Sequence, residues 1–177
     1  MKLERPEQRF DELYGIYEES FPDSERRTYE DQKKTVEREG CCIRAIEEDG
    51  KIVTFLEYWD LESCIFMEYL ASTKAWRNKG HGRQLLEACL REAKEKGKPA
   101  FLEIEPPTEE DPMTIRRASF YRRLGFCLNH FPYQQPPLKS GDKWKDLMVM
   151  SYGTEIEEEK FRAYQKEIYK TVYGQEE

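Results

Sequence analysis

Long apolar runs are missing from this chain: none approaches the roughly twenty residues of a membrane-spanning helix, and the first residues, Met1-Lys2-Leu3-Glu4-Arg5-Pro6, lack the apolar core of a signal peptide. A cytoplasmic protein with no membrane partner is expected. Cysteine is sparse and carries no pattern. The five cysteines, at 41, 42, 64, 89 and 127, form no C-x-x-C pair, are odd in number and sit in apolar segments. Neither a disulfide framework nor a metal site is expected, and the thiols read as small core residues. An excess of positive charge is absent too. A formal net charge of −7 argues against a general nucleic-acid surface. No internal repeat or low-complexity tract occurs.

What is present suits one globular domain. A chain of 177 residues is long enough for one full core and too short for two. Apolar and charged residues are nearly balanced at 38% and 37%, so the 11 Tyr and 9 Phe must supply much of the buried area.

Periodicity divides the chain into elements. Leu3 opens a short strand, and Phe10, Leu13, Tyr17 and Phe21 recur at helical steps until Pro22. Thr28 with Asp31 caps a second helix that Gly40 closes. Residues 41–47 and 51–59 read as strands joined by a turn at Glu48-Asp49-Gly50, and 65–72 as the next strand. Helix is expected over 84–96 and 113–124, strand over 99–105, from Phe126 and over 145–152. The stretch with Pro132, Pro136, Pro137 and Gly141 is a long excursion between strands. Thr154 and Glu157 read as a capping box for a final helix bearing Phe161, Tyr164, Ile168 and Val172 on one side. That helix is expected to pack on the domain or on a second copy, which allows a homodimer.

The most informative segment is Arg77-Asn78-Lys79-Gly80-His81-Gly82-Arg83, which joins the strand at 65–72 to the following helix. Glycines let a backbone approach an anion closely, and the first N–H groups of a helix have no partner within it. Arg77, Lys79 and Arg83 add cationic side chains. A pyrophosphate suits such a loop.

Together with the helix ending Phe120-Tyr121-Arg122-Arg123-Leu124-Gly125-Phe126, this order of parts resembles the GNAT family of acyl-CoA-dependent N-acyltransferases over residues 1–153. Residues 154–177 then form an appended helix. The resemblance implies an α/β (α+β) fold with a mixed, strongly bent sheet of about seven strands, whose strands at 65–72 and 99–105 splay apart to admit the pantetheine arm of acetyl-CoA. It places the backbone of Leu70, Ala71 and Ser72 against pantetheine and the loop from Arg77 to Arg83 against the pyrophosphate. Thr114, where the family often has Asn, and Ser119 are further candidate cofactor contacts.

Acetyl transfer to an amine makes two demands. An alkyl ammonium must lose a proton, which costs about 4 kcal/mol at neutral pH, and the departing thiolate needs one. By resemblance Tyr121 is the acid. Glu68, sharing a strand side with Leu70, is a candidate base, with Glu105 and Glu103 as further candidates and a water relay as the alternative. Residues 21–29 and 131–144 are expected to shape the acceptor pocket, with Glu57, Tyr58, Trp59, Tyr133, Gln134, Gln135 and Trp144 as an aromatic and acidic set suited to a cationic amine. The expected activity is acetyl transfer from acetyl-CoA, without a metal, to a primary amine of a small metabolite. The alternatives are a protein or peptide N-acetyltransferase and a non-catalytic acyl-CoA sensor.

Overall fold

The computed structural model describes residues 1–176. Its strands are β1 (Lys2–Leu3), β2 (Cys41–Glu48), β3 (Lys51–Asp60), β4 (Ile65–Ser72), β5 (Ala100–Ile104), β6 (Phe126–Leu128), β7 (Tyr133–Gln135) and β8 (Lys145–Tyr152). The helices are α1 (Phe10–Ser20), α2 (Tyr29–Val36), α3 (His81–Glu95), α4 (Pro112–Arg123) and α5 (Glu158–Thr171). Among the described residues they build one sheet of eight strands, in the order β1-β2-β3-β4-β5-β8-β6 with β7 also on β8. The eighth strand, β7, lies inside the excursion expected as loop.

Local chemistry accounts for the joints. Asp49 and Gly50 both take positive φ, at 53° and 77°, which gives the two-residue β2–β3 turn the twist a hairpin needs. Thr28 Oγ1 accepts from Asp31 N at 3.2 Å and so caps α2. The expected capping box at Thr154 does not form: α5 begins one turn later, behind Glu157, and the Thr154 carbonyl instead accepts the Ser151 hydroxyl at 2.6 Å. The N–H of Ile156, one of those a Thr154 cap would serve, donates instead to Asn129 Oδ1 at 2.8 Å.

The core has three parts. One lies between the sheet and α3 and α4, and centres on Leu85, Leu86, Cys89, Leu102 and Met150. A second packs α1 and α2 on Ile43, Phe55 and Ala71. The third sets Phe161, Ile168 and Val172 of the C-terminal segment against Trp59, Phe66 and Phe101. The buried Glu92 anchors α3 to the sheet, accepting from Tyr58 Oη at 2.6 Å and Arg44 Nη2 at 3.0 Å. A carboxylate in such a place is tolerated only because its oxygens are satisfied.

Two features of β4 create the site. First, Glu57 of β3 pairs with Tyr69 but Tyr58 pairs with Met67, so Glu68 is the extra residue of a β-bulge. The bulge shifts the alternation of side chains. Glu68 therefore does not share a side with Leu70, as strict alternation requires: Leu70 packs in the α3–α4 core, whereas Glu68 contacts Trp59 and Arg27 on the other side. Second, β4 and β5 pair in parallel only at Ile65–Ala100, Phe66–Phe101 and Met67–Leu102. Beyond that point they separate, and the β4 edge from the bulge to Ser72 has no strand beside it.

Candidate active site

The glycine loop stands at one end of this split. Asn78 and Gly80 both have left-handed backbones, with φ of 60° and 85°, and Gly80 is the N-cap of α3. The helix starts earlier than the sequence pattern indicates, so Gly82 lies in its first turn rather than before it. The backbone N–H groups of His81, Gly82 and Arg83 precede the first intrahelical bond, Gln84 N to Gly80 O at 3.1 Å. A Cβ at position 82 would meet Leu70 Cδ2 at 3.4 Å, an ordinary van der Waals contact, so the first turn of α3 lies against β4. Arg77 Nε reaches the Ser72 carbonyl at 3.4 Å, Arg83 pairs with Glu87 at 2.8 Å, and His81 Nε2 lies 3.3 Å from Glu48. Lys79 is exposed in the same turn. These residues fit a phosphate: the orphan N–H groups, the dipole end of a fifteen-residue helix and cationic side chains converge on one turn.

The open edge of β4 continues the fit. Leu70, Ala71 and Ser72 pair with Leu56, Phe55 and Thr54 of β3 on one side and leave their other backbone groups for an extended amide chain. Ser72 Oγ is 2.8 Å from Thr54 Oγ1. Two other expected contacts fare differently. Thr114 is buried and its hydroxyl is engaged within its own turn, donating to Asp111 O at 2.6 Å and accepting from Thr108 N at 2.9 Å, so it has little left for a ligand. The hydroxyl of Ser119, half-buried on α4, makes no hydrogen bond among the described residues.

At the other end of the split a cavity of about 130 Å³ is lined by Phe21, Glu25, Glu68, Leu70, Glu103, Glu105, Arg117, Tyr121 and Lys145, with other residues of the same elements. It brings together the three carboxylates expected from β4 and β5 and the expected acid. The ring of Tyr121 packs against Phe120 and Phe126 at centroid distances of 5.2 and 5.8 Å. Burial pushes its phenol up to about 12, so it holds its proton at neutral pH.

The carboxylates differ sharply. Glu68 Oε1 lies 2.6 Å from Arg27 Nη1, and Oε2 accepts from Trp59 Nε1 at 2.7 Å. It is occupied by an ion pair. Glu105 hydrogen-bonds Glu25, which raises its pKa, with burial adding to the rise. For Glu25 burial acts in the same direction, but the bonds from Glu105 and from Lys145, 2.7 Å away, bring it down. The contact thus moves the two carboxyls in opposite directions, Glu105 up and Glu25 down. Glu103 accepts from Tyr133 Oη at 2.5 Å and from Tyr173 Oη. Burial pushes it up to about 7, against the pull of these donors. Its pKa lies near neutrality, and among the described residues no cation pairs with it.

The aromatic and acidic set expected at the pocket is largely dispersed. Tyr58 faces Glu92, Trp59 is fully buried, Trp144 packs on Tyr169 and Gln134 bonds Asp146 outside. Glu57 is fully buried and held by Gln32 Nε2 at 2.6 Å. Gln135 lines the cavity, and Tyr133 reaches it through Glu103. Glu25 and Arg27 fall within the stretch 21–29 expected at the pocket without being singled out, whereas Lys145 and Tyr173 escape sequence reasoning, because nothing in their spacing brings residues so distant to one place.

Among the described residues no cluster of His, Cys, Asp or Glu is placed to hold a metal ion, and no helix is long and apolar enough to cross a membrane. Comparison with known proteins agrees with the geometry. The model of the "Acetyltransferase (GNAT) family" matches residues 8–126. YjbC of Bacillus subtilis (strain 168), a proposed acetyltransferase, is 29% identical over 162 residues, covering 90% of this chain and 80% of that protein. A proposed GNAT-family acetyltransferase from Bacteroides thetaiotaomicron superposes with a TM-score of 0.81 at 31% identity, over 96% of this chain and 94% of that one. The ribosomal-protein-S18-alanine N-acetyltransferase from Escherichia coli shares the fold, with a TM-score of 0.62 at 19% identity over 89% of this chain and 97% of that one. The chain, with a glycine loop at a helix N-terminus and a split between parallel strands, thus belongs to the GNAT acetyltransferase family.

Proposed function

We propose that the protein transfers an acetyl group from acetyl-CoA directly to a primary amine of a small metabolite. The observation that carries this reading is the split of β4 from β5 at the Glu68 bulge, with an anion cradle at one end and a carboxylate cavity at the other. The loop from Arg77 to Arg83 would hold the pyrophosphate and the edge of Leu70, Ala71 and Ser72 the pantetheine arm. Bound there, acetyl-CoA supplies the activated acyl group.

The chain's own residues handle the protons. Glu103 takes the proton of the acceptor ammonium, and Tyr121 delivers one to the departing sulfur. An ionised Glu103 leaves one negative charge in the cleft without a paired cation, since Glu68 is tied to Arg27 and both Glu25 and Glu105 face Lys145. A cationic acceptor is favoured on charge.

A small acceptor is favoured by the size of the cavity, about 130 Å³, and by the contacts beside it. Lys139 Nζ bonds Asp23 O and Oδ2 at 2.5 and 2.9 Å, and Lys145 bonds Glu25, so the proline-rich excursion is fastened to the turn between α1 and α2. A peptide acceptor would need that span open. The test is turnover of acetyl-CoA over polyamines, amino acids, aminoglycosides and short peptides, with product identified by mass. A Tyr121-dependent acetylated small amine supports the reading. Peptide product alone would favour a protein acetyltransferase, and acetyl-CoA binding without any product a sensor.

A further inference from the structure

Glu103 stands where the split opens, and every side chain that donates to it comes from beyond residue 126, where the family match ends. Tyr133 Oη, on β7, donates to Oε2 at 2.5 Å. Tyr173 Oη, from the segment after α5, donates to Oε1. Gln135 Nε2 lies 3.4 Å from the same oxygen and 3.2 Å from Tyr173 Oη. Both carboxylate oxygens thus face donors, which favour the charged form.

Tyr173 is itself held firmly. Arg27 Nη2 donates to the Val172 carbonyl at 3.3 Å, and Arg38 Nη2 donates to that of Thr171. Two guanidiniums therefore grip the carboxyl end of α5, where the helix dipole favours cations. Val172 and Ile168 are buried, and the Tyr173 ring meets Phe66 edge-on with centroids 6.4 Å apart. The same arginine that neutralises Glu68 in the cleft fixes the main chain that delivers Tyr173.

We propose that Tyr173 is a positioning residue for acetyl transfer: its hydroxyl, brought in by the C-terminal helix, joins Tyr133 in holding the Glu103 carboxylate charged and fixed in the cleft. This inference rests on Glu103 being the base. The other groups facing Glu103 are Glu68 on β4, paired with Arg27, and Tyr169 on α5; Glu105 follows on the same strand. Glu68 opposes the charge on Glu103, so the phenols are what offset burial and that repulsion. On this account the segment from α5 to Tyr173 is part of the active site rather than an addition to it.

The test compares wild type, Tyr173→Phe and Glu103→Gln in the pH dependence of kcat/KM for the amine, at saturating acetyl-CoA. It adds a carbon-13 NMR titration of the glutamate carboxyls in the resting protein. Glu103→Gln should lower activity by on the order of a hundredfold or more at every pH. Tyr173→Phe should move the rising limb upward by about one pH unit, recover activity at high pH and raise the Glu103 midpoint in the titration. An unmoved limb and midpoint in Tyr173→Phe, with Glu103→Gln inactive, overturns the positioning role and leaves the base assignment standing. Full activity in Glu103→Gln overturns the base assignment, and with it this inference. Where Tyr173→Phe fails to fold, Gln135→Met, which removes the amide donor to both groups, has to move the limb in the same direction; an unmoved limb there counts against the proposal.

Discussion

Arg27 Nη1 lies 2.6 Å from Glu68 Oε1, with 7% of the arginine side chain and 3% of the glutamate side chain exposed, and the second oxygen of Glu68 is taken by Trp59 Nε1. Two charges removed this far from water are stable only as a pair. Breaking the pair from one side leaves the other charge uncompensated, at a cost of about 3–5 kcal/mol. Arg27→Met should therefore lose about that much stability in urea denaturation. The double variant Arg27→Met with Glu68→Gln should recover part of it, and strictly additive losses would show that the two side chains do not act as a pair.

Tyr121→Phe should keep the fold, since its ring packs between Phe120 and Phe126 and the hydroxyl has no hydrogen bond to lose among the described residues. Affinity for acetyl-CoA, followed by calorimetry, should stay within a factor of a few. Turnover should fall by about 10²–10⁴-fold, the usual contribution of a positioned acid. Unchanged turnover would remove Tyr121 from the mechanism.

Gly80 has φ of 85°, a left-handed backbone, and nothing crowds its would-be Cβ. Gly80→Ala should therefore cost only about 1–2 kcal/mol of conformational strain. Relief of that strain would turn the N–H groups at the start of α3, so the KM for acetyl-CoA should rise several-fold while the amine KM changes little. Equal changes in both would place the loop away from the cofactor.

Stability should decline as pH rises above the ordinary carboxyl range. Burial, reinforced by Glu68, pushes Glu57 up to about 8 from 4.5 in the unfolded chain. Between these values the native protein holds a proton that the unfolded chain has released, so rising pH favours unfolding. The full contribution is present below about pH 4.5 and is lost as pH passes about 8. Glu103, raised to about 7, acts in the same direction over a narrower range. In denaturant titrations from pH 5 to 8, Glu57→Gln should show a shallower decline than wild type. A slope identical to wild type would mean that Glu57 is ionised in the folded state.

Much of this was legible in the sequence, because it rests on local chemistry. The loop from Arg77 to Arg83 announces an anion site through glycine and charge spacing alone, and the strands and helices around it follow from two- and 3.6-residue periods. Tyr121 could be singled out from eleven tyrosines by its motif. Local rules failed where tertiary context outweighed them. The Thr154 capping box gave way to hydrogen bonds with Ser151 and Asn129, Thr114 turned inward to its own loop, and a strand was found at Tyr133–Gln135 inside a proline-rich stretch.

By itself, then, the sequence determined the fold class and the family, and it pointed to the loop and to Tyr121 because each is written in residues adjacent along the chain. The proposal of Glu103 as the base rests on the tertiary structure. A bulge moves Glu68 to the side of β4 opposite Leu70, where Arg27 lies, and Glu103 acquires phenols from β7 and from beyond α5, some thirty and seventy residues away. A carboxylate's proton affinity is set by burial and by whatever charges and donors surround it, and those neighbours exist only once distant segments have packed.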